Sequence, residues 1–290
     1  MSLFTEQWSL TIGPSATRQI QWGQIAVGFG AILALACIAL IVGQSQSVQW
    51  GEIPSYLVDP SILQGVLLTL ELTAAAMAVG IVLGCAVALM ATSNNFVLKA
   101  IAAVFVWWFR GVPLIVQIFF WFNIALFVPR IGMGTFSISI NDVVTPALAG
   151  LLALGLHEAA NMAEIIRGGL VAIGKGQRDA ARALGFRPGQ TLLAVILPQA
   201  ARLIVPPTGN QAIGMLKASA IVSVIGMQDL LTQAQQIYAR NFLVIELLIV
   251  ASIWYLAITT VASIGQYFLE QSLAPKAYAS TGRPGARKPR

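Results

Sequence analysis

Six apolar stretches, at roughly 24–43, 62–90, 98–128, 144–172, 202–228 and 242–267, dominate this chain. Each is long enough to match the ~18–20 residues with which an α-helix crosses a hydrocarbon core of roughly 30 Å. Within such a core every backbone N–H and C=O must be satisfied inside the protein, so isolated segments of this length span as helices. Composition points the same way. Of the 290 residues, 57% are hydrophobic and 10% are charged, whereas soluble domains carry about 25% charged residues. The expected fold class is an all-α integral membrane protein with about six transmembrane helices.

The net charge of +6 could mark a nucleic-acid binder, but the cations sit in loops and in the C-terminal tail. That distribution is an orientation signal, and no nucleic acid is expected as a partner. With both termini cytoplasmic, twelve basic residues fall inside, including Arg18, Lys99, Lys175, Arg178, Arg182, Arg187 and Arg202. Only Arg130 and Arg240 fall outside. The loop over about 173–201 is therefore expected in the cytoplasm. The first apolar run, Ile25 to Val42, follows only Arg18 and lacks a clear small-residue cleavage site. It reads as a retained helix rather than a signal peptide. The segment beyond Ser272, rich in Pro, Gly and Lys/Arg, reads as a disordered basic tail lying against anionic headgroups. Cys37 and Cys85 fall in apolar segments, where they serve as small hydrophobes and make neither a disulfide framework nor a metal site.

Two motifs fail on inspection. GLVAIGK (169–175) has phosphate-loop spacing, but Gly176 stands where a Ser or Thr should ligand magnesium, and a membrane helix rather than a strand precedes it. HEAAN (157–161) begins like a zinc-protease helix, but His157 is the only histidine in the chain, and that site needs two imidazoles on one face. Neither nucleotide nor metal chemistry is expected from this chain.

The cytoplasmic loop carries GQRDAARALGFRPG at 176–189. Gly176 is expected to end the preceding helix, with Asp179 in the first turn of a new one, where its charge suits the helix dipole. Ala180, Ala181 and Leu184 form a narrow apolar stripe, while Arg178, Arg182 and Arg187 are expected to project outward. Gly185 and then Pro188 stop the helix after about two turns. So short a helix is marginal alone and needs a partner surface. An ordinary interfacial loop helix fits these residues as well.

Asp179-Ala180-Ala181, then Gly185, then Val195-Ile196-Leu197-Pro198 resembles the EAA signature of binding-protein-dependent ABC importer permeases. Asp replaces Glu at 179 and Val replaces Ile at 195, both keeping charge or shape. FRGVPLIVQIFF (109–120), NMAEIIRGGL (161–170) and MLKASAIVSVIGMQDLL (215–231) are similar to runs of the polar amino acid permease subfamily. The resemblance covers about residues 60 to 270. It implies a five-helix type I importer core over 61–270, with an EAA loop at about 176–198. Residues 1–60 would add a cytoplasmic segment, an extra helix and an external loop, and residues 271–290 the tail.

The resemblance further implies a bacterial cytoplasmic (inner) membrane location and a non-catalytic subunit that binds no cofactor. ATP and Mg would belong to a partner ATPase dimer. Gln177, Arg178, Asp179, Ala180, Ala181, Arg182, Leu184, Gly185 and Arg187 would form the coupling helix docked on that ATPase. A second permease, identical or related, and an extracytoplasmic amino acid-binding protein would complete an alternating-access importer.

Ionisable groups at membrane depth are costly and so are functional candidates. Glu71, Glu158 and Lys217 are each expected near the midplane, where they could line one cavity. A zwitterionic amino acid needs a carboxylate for its ammonium group and a cation for its carboxylate. Glu158 and Lys217 suit those roles, with Glu71, His157 and Asn161 beside them; a structural ion pair between helices is the plain alternative. Glu164 and Arg167 are spaced for an intrahelical pair, and Arg110 lies at an expected helix break. A self-sufficient secondary transporter or channel would predict inverted repeats, and none is visible. A membrane-embedded enzyme lacks a nucleophile constellation.

Overall fold

The computed structural model describes residues 22–45, 48–132 and 137–273. Arg18 and the basic tail from residue 274 onward lie outside the described residues. The chain divides into two units, Met1–Val48 and Gln49–Arg290. The first contains α1 (Trp22–Gly43), 22 residues long and so about 33 Å.

The second unit runs through α2 (Ile53–Leu57), α3 (Pro60–Thr92), α4 (Phe96–Gly111), α5 (Leu114–Phe122), a two-residue ribbon, and α6 (Ile140–Val143). The ribbon pairs β1 (Arg130–Ile131) antiparallel with β2 (Ile138–Ser139). Then come α7 (Pro146–Ala172), α8 (Lys175–Ala183) and α9 (Pro188–Gln190), which continues through a π turn at Thr191–Ile196 into α10 (Leu197–Ala218). A 3-10 stretch at Ser219–Ile225, α11 (Leu230–Asn241) and α12 (Val244–Leu273) follow. Helices thus cover all six apolar stretches. Among the described residues, Pro60–Thr92, Pro188–Ile225 and Val244–Leu273 are each long and apolar enough to cross a membrane. α7 has 27 residues, about 40 Å, and includes Glu158, Glu164 and Arg167.

The third stretch is not one continuous helix: α4 and α5 meet at 101°. Pro113 causes the break. It pushes Val112 out of the helical region, to φ −90° and ψ 131°, and it has no N–H for the Phe109 carbonyl four residues back. That carbonyl is satisfied from elsewhere. Gln117 Nε2 donates to Phe109 O at 2.9 Å and to Val112 O at 2.8 Å, and His157 Nδ1 lies 2.9 Å from Phe109 O.

The fifth stretch is also displaced from 202–228. Its helix begins at Pro188 and its α-helical part ends at Ala218, so Lys217 stands in the last turn. The π turn sits immediately before Pro198, whose missing N–H leaves the Ala194 carbonyl without its usual donor.

α3 and α7 form the centre of the packing, with Ala76, Met77, Ala153, Leu154 and Met162 buried between them and their neighbours. Close approach depends on glycines spaced four apart on α3, the small-residue pattern of membrane helix pairs. A Cβ on Gly80 would lie 2.5 Å from Glu158 Cγ, and one on Gly84 would lie 2.6 Å from Met162 Cβ. A second cluster gathers Ile62 and Val66 of α3, Leu230 and Ala234 of α11, and Leu247 and Val250 of α12. Asp229 caps α11 through Leu231 N and Thr232 N, and Leu230 N donates to Thr69 Oγ1 at 3.1 Å.

Candidate functional site

Two regions carry the candidate residues. The first centres on Glu158, which is fully buried on α7 beside Gly80 of α3. Its Oε2 accepts from Gln211 Nε2 of α10 at 3.0 Å, and Oε1 has no hydrogen-bond partner among the described residues. A half-satisfied polar group of this kind is costly to bury. Asn161, half-buried, lies one helical turn further along α7.

His157 is adjacent but faces the α4–α5 break. Its Nδ1 must carry the proton to donate to the Phe109 carbonyl. The side chain therefore holds the break, together with Gln117, and that nitrogen is not free for another partner.

Glu71 and Lys217 do not share the level of Glu158, contrary to expectation. Glu71 is nine residues before Gly80 on α3, about 14 Å along the axis, and Lys217 is six residues past Gln211 on α10, about 9 Å. Both displacements run away from the α8 end of the helices, and both side chains are exposed. For Lys217 the reason is a shift in helix boundaries: α10 starts and ends earlier than its hydropathy suggests, which moves Lys217 to its final turn. Among the described residues the ion pairs are Arg167–Glu164 at 2.8 Å and Arg182–Asp179 at 3.7 Å. Glu158 and Lys217 are not paired.

The second region is α8. α7 stops at Ala172 and α8 begins at Lys175, so Gly176, expected to end the preceding helix, lies inside the first turn of the new one. Asp179 is thus mid-helix, and the first-turn dipole argument for it does not hold. Its pair with Arg182 is solvent-exposed, an arrangement that contributes little. The C-terminus follows the expected glycine logic. Gly185 has φ +81°, its N–H donates to Arg182 O at 2.9 Å, and Phe186 N donates to Ala181 O at 3.1 Å, the Schellman pattern. Pro188 plays no part in stopping α8; it opens α9, a position where its missing N–H costs nothing.

The expected apolar stripe splits between two sides. Ala181 is buried, whereas Ala180 is exposed and Leu184 is 78% exposed. Arg178 does not project outward as expected: its Nη2 donates to Leu170 O of α7 at 2.8 Å. Gln177 Oε1 accepts from Gln199 Nε2 of α10 at 3.3 Å. Arg182 and Arg187 are exposed. A cleft of about 200 Å³ beside α8 is lined by Arg178, Arg182, Thr92, Leu170, Thr191 and Leu192, among others.

Reading for ionisable groups missed Gln211 and Gln117, the neutral partners of Glu158 and of the helix break. An amide within an apolar segment was the available signal, since it too must find partners at membrane depth.

Comparison with known proteins agrees with this architecture. Residues 80–275 match the model of the family described as "Binding-protein-dependent transport system inner membrane component". The arginine transport system permease protein ArgU of Corynebacterium glutamicum is 38% identical over 243 residues, which span 83% of this chain and 76% of that protein. The glutamine transport system permease protein GlnP of Escherichia coli K12 is 34% identical over 205 residues, 70% of this chain and 89% of that one. A chain of a crystal structure described as an amino acid ABC transporter with histidines is similar at 34% identity and a TM-score of 0.68. That match covers 78% of this chain and 99% of the other. The MetNI methionine ABC transporter, inward facing, shares the fold at a TM-score of 0.55 and 20% identity, over 74% of this chain and 96% of that one. With helices over every apolar stretch and a family match across most of its length, this chain belongs to the inner membrane components of binding-protein-dependent transport systems, the permease subunits of ABC importers.

Proposed function

We propose that this chain moves polar amino acids inward across the bacterial cytoplasmic membrane, with both termini cytoplasmic. ATP hydrolysis is supplied by a separate ATPase dimer that holds ATP and Mg, and this chain binds no cofactor. A binding protein outside delivers the substrate, and a second permease, identical or related, completes the pathway. Similarity to arginine and glutamine permeases supports the substrate class.

The observation that carries the coupling reading is α8, a Schellman-capped helix of 9 residues with Leu184 at 78% exposure. In a folded protein such a helix gains most of its stability from packing, yet its outer side meets nothing among the described residues. An ATPase surface docked over Ala180, Leu184 and Gly185 accounts for that side, with Asp179, Arg182 and Arg187 at the rim. Gln177 and Arg178 serve from the inner side.

In the membrane, Glu158 is the ammonium-binding carboxylate, reached when α10 moves and Gln211 withdraws. Lys217 and Glu71 line the approach from the outer side. Asn161 supports Glu158, and His157 shapes the site through the α4–α5 break.

The test is reconstitution with the cognate ATPase and binding protein, offering each radiolabelled amino acid in turn. ATP-driven uptake of a polar amino acid is expected. Uptake driven by an ion gradient without ATPase would refute the proposal and favour a self-sufficient transporter.

A further inference from the structure

Arg178 closes a frame that joins α8 to the contact between Glu158 and Gln211. Leu170, whose carbonyl accepts from Arg178 Nη2 at 2.8 Å, lies among the last four residues of α7. Those carbonyls have no partner within the helix, and they form the negative end of its dipole. A guanidinium suits that position doubly, as a fork of donors and as a fixed cation. Gln177, the neighbouring residue, accepts from Gln199 of α10, and Ala181 is 4% exposed, with α8 packed on the π turn that leads into α10. α8 is therefore fastened to the inner ends of α7 and α10 together.

The two arms of this frame are equal. Leu170 lies twelve residues beyond Glu158 on α7, and Gln199 lies twelve residues before Gln211 on α10, about 18 Å in each case. The arms meet at the Glu158–Gln211 hydrogen bond. A push on α8 thus reaches both helices through side chains and is not absorbed in the loops between them.

We propose that Arg178 is a positioning residue that transmits movement of α8 to α7, and that it is not a contact for the ATPase. This rests on the importer reading above. It assigns different work to neighbours in one short helix: Leu184 docks, and Arg178 transmits.

The test compares Arg178→Ala, Arg178→Lys and Leu184→Asp in the full complex and in the permease alone. In the complex, Arg178→Ala should keep the co-purified ATPase within about twofold of wild type while lowering ATP-driven uptake at least tenfold. The uptake probe is whichever amino acid the wild-type complex carries best. Arg178→Lys, which keeps a cation at the end of α7, should recover part of the uptake. Leu184→Asp should lose the ATPase itself. In the permease alone, Arg178→Ala should speed amide hydrogen exchange over residues 175–183 at least tenfold, with the centres of α3 and α7 unchanged.

Loss of ATPase from Arg178→Ala in the same proportion as from Leu184→Asp would overturn the proposal by making Arg178 a docking contact. Unchanged exchange over 175–183, or wild-type uptake, would overturn it as well. If Arg178→Ala does not fold, Arg178→Lys carries the same readouts, with uptake below wild type and ATPase retained. A wild-type complex that recovers no ATPase would count against the importer reading instead, and the exchange measurement would still decide the role of Arg178.

Discussion

Gln211 of α10 donates its amide to Glu158 of α7 at 3.0 Å, and this bond satisfies one of the two oxygens of a fully buried carboxyl. The contact crosses between the two helices that α8 ties together. Replacing Glu158 by Gln removes the ionisable group and keeps the shape and an acceptor for Gln211. Burying a charge is expensive, so the Glu158→Gln permease should melt at or above the wild-type temperature in detergent. Its ATP-driven uptake, and the stimulation of ATPase by substrate-loaded binding protein, should fall at least tenfold with assembly intact. Wild-type transport kinetics would remove Glu158 from the proposed site.

Gly80 should tolerate no side chain. A Cβ there would sit 2.5 Å from Glu158 Cγ, and overpacking of this kind typically costs about 1–3 kcal/mol. Gly168 of α7, where a Cβ would meet nothing within 4 Å, is the control. Gly168→Ala should be neutral or slightly stabilising, because Ala is the better helix former. Thermal unfolding of the two purified variants separates packing from propensity.

Gly185→Ala should fray the end of α8. The residue holds φ +81°, and a left-handed conformation costs an L-residue about 1–2 kcal/mol. Limited proteolysis should cut first near residues 184–187, with ATPase retention reduced. Leu184→Asp should leave the stability of the permease alone within about 0.5 kcal/mol, since an exposed position makes few internal contacts.

Asp229 offers a pH signature outside the spanning helices. Burial pushes its carboxyl above the usual aspartate range, against the lowering effect of hydrogen bonds from Thr232 and Leu231. A carboxyl raised on folding adds stability that is complete below its unfolded pKa and is lost as pH rises through the folded one. Asp229→Asn cannot titrate. The melting temperature of wild type relative to Asp229→Asn should therefore rise as pH is lowered through the carboxylate range. A difference that is flat with pH would show that the carboxyl titrates alike in both states.

Hydropathy located every long helix because a membrane imposes its thickness on sequence. It could not place features set by individual partners. The 101° break depends on one proline and on side-chain donors, the Gln117 amide and the His157 imidazole, which become neighbours only after folding. α11 is amphipathic and polar, so an apolar scan leaves it in a loop, although Leu230 and Ala234 are fully buried against α3 and α12. The level of Lys217 differs for a related reason: depth is counted from apolar edges, while the ends of α10 are set by its prolines and the 3-10 stretch that follows. In α8 the glycine stop was legible. The inward turn of Arg178 was not, because its acceptor is a backbone carbonyl, which no sequence pattern marks.

The division of α8 into an inner side, with Arg178 and Ala181, and an outer side, with Ala180 and Leu184, bears on how such a subunit can change over time. Substitutions on the outer side leave the ties to α7 and α10 untouched, so the permease can be refitted to an altered motor without disturbing its membrane core. Changes to the inner side have no such freedom, since Arg178 ties α8 to α7 and Gln177 ties it to α10. The short helix behaves as an adaptor with one interchangeable face and one fixed face.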